Sequence, residues 1–201
     1  MNESTLYPLI FFHIPKNAGV SIRRILEIDT KMHPFNFSRT TNLGIDIKKY
    51  TDPEVFKRYT KFTVIRNPWD RFLSEYIWQG NNFKTAIETK WGNKNISFVD
   101  FCKSDFNWYP EYEKNRLSKT QLSFLTDDKA KICVDKLIKF ENLQKEFSSV
   151  FDKIGIAQMK IPHRNKTKHK SYWEYYNDET IEIVTKKFEE DIKFFGYEFG
   201  K

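Results

Sequence analysis

A chain of 201 residues with no internal repeat or low-complexity linker is long enough for one domain with its own core, and the expectation is a single domain over residues 1–201. Only 39% of it is apolar but 17% is aromatic, with 19 Phe, 10 Tyr and 5 Trp, and that much ring area excludes a disordered chain. Of the net charge of +7, five units sit on Lys160, Arg164, Lys166, Lys168 and Lys170 within the acid-free stretch 160–170, a concentration that suits a small polyanion better than nucleic acid.

The apolar run Leu9–His13, stopped by Ile14-Pro15, predicts a buried strand. Ala18-Gly19-Val20-Ser21 then leads into Ile22, Ile25 and Leu26, spaced like one face of a helix. Residues 29–50 carry no firm pattern. Asp52-Pro53 opens a further helix, with Val55, Phe56 and Tyr59 as its apolar side. Phe62–Ile65 reads as a second buried strand ending at Arg66. Asn67 is the expected cap of the next helix, Pro68 its first turn, and Trp69, Phe72, Leu73, Tyr76 and Ile77 its apolar residues.

Ser97 and Asp100 have capping spacing before a helix through Phe101 and Cys102. Lys136–Phe140 is a third strand, and Leu143, Phe147, Val150, Phe151 and Ile154 recur at helical spacing up to Gly155. A last helix, capped by Asp178, presents Ile181, Val184, Phe188, Ile192 and Phe195 before Gly196. Strands alternating with helices imply parallel pairing through right-handed crossovers, hence a three-layer α/β domain. Ligands in such sheets bind at the carboxyl ends of the strands.

Two of those ends carry anion-binding chemistry. After the first strand, His13-Ile-Pro-Lys-Asn-Ala-Gly-Val-Ser21 joins a strand to a helix N-terminus, where free N–H groups and the helix dipole attract an anion. Gly19 permits close approach of the main chain, Lys16 adds a mobile charge and Ser21 a hydroxyl. The order is not that of the nucleoside-triphosphatase loop, because Lys16 precedes Gly19 by three positions. After the second strand, Arg66 can present its guanidinium fork to a phosphate. Ser74 lies two helical turns beyond Asn67 and shares its face. Asp70 and Arg71 are expected in structural ion pairs. Two such sites on neighbouring strands imply one ligand with two separated anionic groups.

The segment FFHIPKNAGVSI resembles the 5′-phosphosulfate loop of carbohydrate sulfotransferases, usually HIPKTAGTS, and FTVIRNPWDRFLSEY is similar to their 3′-phosphate motif, usually RNPYDRLLSAY. The resemblance continues through Gln121–Leu125, Lys139–Leu143, Ile161–Asn165 and Asp191–Phe199, and so covers nearly the whole chain in order. It is greatest to the Golgi-type group that includes heparan 2-O- and chondroitin sulfotransferases. It implies a P-loop kinase-like sulfotransferase fold with a central parallel sheet. The donor it implies is 3′-phosphoadenosine 5′-phosphosulfate (PAPS), with adenosine 3′,5′-bisphosphate as product, no metal, and a hydroxyl acceptor, a saccharide. By position, Lys16, Asn17, Gly19, Val20 and Ser21 would hold the 5′-phosphosulfate, with Lys16 stabilising charge on the bridging oxygen. Arg66 and Ser74 would bind the 3′-phosphate, and the segment with Arg164, Asn165 and Lys166 matches a loop near the donor. Val20 departs from the pattern, because the usual Thr would add a hydroxyl near the sulfonate.

In-line transfer needs a base for the acceptor proton. The resemblance points first to His33, between the two donor motifs, and Glu141 matches a glutamate that supports the loop; His13, at the end of the first strand beside the donor loop, is the second candidate, as an orienting rather than a catalytic residue. Trp78, Trp91, Trp108, Tyr109 and Tyr112 are expected mainly in the core, with stacking on a sugar the other reading. Two further readings stay open. A small-molecule kinase would need a complete triphosphate loop, which the sequence lacks. A non-catalytic binder of phosphorylated or sulfated ligands is the other, left open by Val20. With no signal-peptide pattern, no long apolar run, and two cysteines (Cys102 and Cys133) in no metal or disulfide pattern, the expectation is a cytoplasmic protein without a membrane span.

Overall fold

The computed structural model describes residues 9–22, 53–82, 96–106, 118–127, 129–153, 161 and 170–201. In chain order its regular elements are β1 (Leu9–Phe12), α1 (Pro53–Arg58), β2 (Thr60–Ile65), α2 (Pro68–Asn82), α3 (Phe98–Lys103), β3 (Lys136–Lys139), α4 (Leu143–Lys153), α5 (Asp178–Lys187) and α6 (Glu189–Phe195). They fall into two compact units, Met1–Arg66 with Ser123–Lys166 and Asn67–Leu122 with Thr167–Lys201. Among the described residues no helix is long and apolar enough to cross a membrane.

The first unit holds the central sheet, flanked by helices. Its strands run parallel in the order β1-β2-β3, with Phe11 beside Phe62 and Val64 beside Ile138. All three predicted strands are present. The middle strand is buried from Lys61 to Ile65, which is why it lacks the apolar–polar alternation of a one-sided strand. Its polar groups find partners. Thr63 Oγ1 donates to the Phe12 carbonyl at 2.7 Å, and the Lys61 ammonium meets Asp135 at 2.9 Å and the Tyr59 carbonyl at 2.8 Å. Asp135 also accepts from the Lys61 N–H at 2.8 Å, so one carboxylate fastens β2 to the start of β3.

Phe11, Phe62, Val64 and Ile138 line one sheet face and pack with Ile22, Ile161 and Phe147 of α4. The Phe11 and Phe62 rings stack at 5.0 Å, and Phe147 meets Phe62 edge-on at 6.0 Å. Each such side chain contributes roughly 1.5–3 kcal/mol on burial. That face therefore holds the helical turn after β1 and α4 against the strands.

In the second unit Asn67 caps α2 as expected, its Oδ1 accepting from the N–H groups of Trp69 at 3.1 Å and Asp70 at 3.4 Å. Ser97 caps α3 through the Asp100 N–H at 3.1 Å. The Phe72 ring lies 5.1 Å from Phe101 and 5.7 Å from Phe188, and the Lys187 ammonium sits 4.4 Å over the Phe106 ring. The buried Arg71 donates to the Lys119 carbonyl at 3.3 Å, and burial pushes the Asp191 carboxyl up, against the pull of the Gln121 N–H and the Arg71 guanidinium.

The expected final helix is corrected in two respects. Asn177 is its cap, accepting from Thr180 N–H at 2.9 Å, and Asp178 lies in the first turn, where a carboxylate complements the dipole. The helix also breaks at Phe188 (φ −120°, ψ 29°) into α5 and α6, with the ring 1% exposed in the core. The stop is as expected: Gly196 takes the left-handed conformation at φ 68° and closes α6.

Candidate active site at the carboxyl ends of the strands

Because β1, β2 and β3 are parallel, the chain leaves all three at one end of the sheet, at His13, Arg66 and Phe140. After β1 it passes through residues 13–18 and becomes helical at 19–22. The Ile22 N–H donates to the Ala18 carbonyl at 3.1 Å, which makes Ala18 the residue that opens the helix. The first N–H groups of such a turn have no intrahelical acceptor.

Lys16 (φ 70°) and Ala18 (φ 59°) both adopt the left-handed conformation, on either side of Asn17. For residues with a Cβ this costs ~1 kcal/mol each. Left-handed residues alternating with ordinary ones curl successive N–H groups into a concave anion-binding nest. Local bonds offset the strain. Asn17 is fully buried, its Nδ2 donates to the Val64 carbonyl at 2.7 Å and its N–H to Ile14 at 3.3 Å. Ala18 packs on the core, and Arg66 Nη1 donates to the Lys16 carbonyl at 2.9 Å. Asn17 is thus a fastener joining the loop to β2, with its side chain turned inward.

Gly19 has a reason to be glycine that spacing alone does not reveal. A Cβ there would lie 1.9 Å from Nε2 of His13, so the imidazole occupies the space a side chain would need. His13 is half-buried and its ring lies 5.8 Å from that of Phe11. Ser21 is buried, whereas Val20 is 47% exposed, at the position where a threonine would present its hydroxyl.

Arg66 is 7% exposed and lies with its guanidinium 4.2 Å over the Phe140 ring. The first unit therefore brings together Lys16, Asn17, Gly19, Val20, Ser21 and Arg66. Ser74 is half-buried on α2, in the second unit. Glu141 is exposed in the 3₁₀ turn Phe140–Asn142. His33, Arg164 and Lys166 lie outside the described residues, as do Trp91, Trp108, Tyr109 and Tyr112.

The left-handed Lys16–Ala18 loop and Arg66 stand at the ends of adjacent parallel strands, joined by a 2.9 Å bond, and the sequence matches the sulfotransferase family over residues 4–198. The chain belongs to that family. An uncharacterized protein of Archaeoglobus fulgidus is 28% identical to this sulfotransferase over 120 residues, which cover 56% of this chain and 81% of that protein. No solved structure gives a significant match.

Membership makes the protein an enzyme of sulfonate transfer and implies PAPS as its donor. The chemistry present fits such a donor: the nest around Lys16 and Ala18 suits an oxyanion, and the Arg66 fork suits a phosphate. Phe140 and the inward amide of Asn17 are the contributions that sequence reasoning missed. The signal for Phe140 was its place at the carboxyl end of the expected third strand, the edge where ligands bind, although β3 itself ends one residue earlier, at Lys139.

Proposed function

We propose that this sulfotransferase moves a sulfonate group from PAPS to a hydroxyl of a carbohydrate, as a compact relative of the heparan 2-O- and chondroitin sulfotransferases of the Golgi type. The single observation that supports it most is the 2.9 Å bond between Arg66 and the Lys16 carbonyl, which sets the two basic residues at the same end of the sheet. When bound, the donor supplies sulfur already activated by a phosphate leaving group.

The main chain at Gly19 and Val20, with the Ser21 hydroxyl, surrounds the 5′ end, and Asn17 fastens the loop that presents them. The Lys16 ammonium neutralises charge that develops on the bridging oxygen as the sulfur–oxygen bond breaks. Arg66 holds the 3′-phosphate, and the resemblance adds Ser74 to the same role. Arg164 and Lys166 bring further positive charge to the donor. His33 takes the acceptor proton as the acceptor oxygen bonds to sulfur, leaving adenosine 3′,5′-bisphosphate as product.

The test is transfer of labelled sulfonate from PAPS to a panel of glycans, phenols and lipids. Label on a glycan hydroxyl is the expected result. Label only on phenols or lipids would refute the carbohydrate assignment. Tight donor binding with label on no acceptor would favour a non-catalytic binder.

A further inference from the structure

The motif Lys139-Phe140-Glu141-Asn142-Leu143 has no role in the reaction so far described, yet its aromatic residue touches the site. Phe140 is the first residue after β3, as Arg66 is the first after β2. Its ring supports the Arg66 guanidinium at 4.2 Å, well inside the ~6 Å range in which an arginine is held by an aromatic face. On another side, Nη1 of the same group donates to the Lys16 carbonyl at 2.9 Å. The ring itself is anchored, packed at the margin of the core formed by Phe11, Phe62, Val64 and Ile138.

We infer that Phe140 is a positioning residue that gives the enzyme its preference for a 3′-phosphorylated adenosine. An arginine has several side-chain rotamers, and the plane of its fork decides which donors face a phosphate. A ring face below it fixes that plane. Clamped between the ring and the Lys16 carbonyl, the five-donor fork is oriented before any phosphate arrives, so binding loses less side-chain freedom. The same clamp ties the 3′-phosphate arginine to the loop that carries Lys16. This inference rests on the donor reading above and assigns Phe140 no contact with the donor.

Calorimetric titration of wild type, Phe140→Leu, Phe140→Tyr and Arg66→Ala with adenosine 3′,5′-bisphosphate and adenosine 5′-monophosphate tests it. The wild type should prefer the bisphosphate. Phe140→Leu should cut that preference ~10-fold, a loss of the size of a desolvated cation–π contact, with little change for the monophosphate. Phe140→Tyr, which keeps the ring face, should retain the preference, and Arg66→Ala should abolish it. A merely structural role for Phe140 would weaken both nucleotides equally, and that result overturns the inference. If the leucine variant does not fold, Phe140→Met, similar in volume without a ring, gives the same reading. No preference in the wild type would overturn the donor reading and this inference with it, whereas an intact preference in the leucine or methionine variant would overturn this inference alone.

Discussion

Arg66 and Lys16 are 50 positions apart in the chain, and a 2.9 Å hydrogen bond from the guanidinium of one to the main-chain carbonyl of the other joins the ends of β2 and β1. The bond has two consequences. It gives the left-handed Lys16 carbonyl a strong donor, which helps hold an otherwise unfavourable backbone. It also sets the two basic residues at the same end of the sheet.

Lys16 is assigned to the transition state, so its ammonium should matter more for rate than for stability. Lys16→Ala keeps the carbonyl that Arg66 binds and leaves the fold intact. Turnover should fall ~100-fold or more, the range seen when one preorganised charge stabiliser is removed, with the melting temperature close to wild type. Steady-state kinetics beside a thermal melt decide it, and an active Lys16→Ala enzyme would remove the lysine from the chemistry.

At Gly19 the expected defect is steric. Gly19→Ala drives a methyl into the His13 imidazole, at a distance of 1.9 Å that no real contact shows, so the ring or the loop must move. Overpacking of this kind costs about 1–3 kcal/mol, read as a lowered melting temperature and weaker nucleotide binding. The double variant His13→Ala, Gly19→Ala makes room for the methyl and should recover much of both. If it is no better than Gly19→Ala alone, the contact with His13 does not explain the glycine.

Val20 offers a test by gain. The residue is 47% exposed on the opening helical turn, where the loops it resembles carry threonine. Val20→Thr keeps the branched shape and adds a hydroxyl near the proposed sulfonate site. Turnover should rise several-fold, up to ~10-fold for one added hydrogen bond in the transition state. Unchanged or lower turnover would show that the hydroxyl has no part in this enzyme.

Much of the fold is written in short-range patterns. A strand that must be buried on both faces reads as the run Phe62-Thr-Val-Ile65, and the caps Asn67, Ser97 and Gly196 act on backbone groups only a few residues away. The break at Phe188 was not legible, because the apolar spacing runs through it uninterrupted. That Lys16 and Arg66 come to one end of the sheet was legible because parallel strands deliver their ends to one place. The Asn17 amide bond to Val64, the His13 ring against Gly19 and the Phe140 shelf depend on which residues a tertiary register sets side by side, 47 positions apart in the first case.

Titration behaviour follows from burial in the second unit. Cys102 is 1% exposed, and burial pushes its thiol from 9.0 up to about 12, against the pull of the Lys187 ammonium. A group whose folded value lies above its unfolded one contributes fully below the unfolded value. That contribution is then lost as pH rises from about 9 to about 12. Melting curves across that range should fall more steeply for wild type than for Cys102→Ala, and equal slopes would contradict the assignment. At pH 8 the native thiol should also resist iodoacetamide and react once the protein is unfolded.

The claim beneath the rest is that one nucleotide is held at both ends, by the loop after β1 and by Arg66 after β2. Calorimetric titration of the wild-type protein with adenosine 3′,5′-bisphosphate, adenosine 5′-monophosphate and adenosine 3′-monophosphate measures it directly. The bisphosphate should bind at least ~10-fold more tightly than either monophosphate, because each phosphate meets its own charged or N–H-rich partner. Equal affinity for all three would contradict the claim.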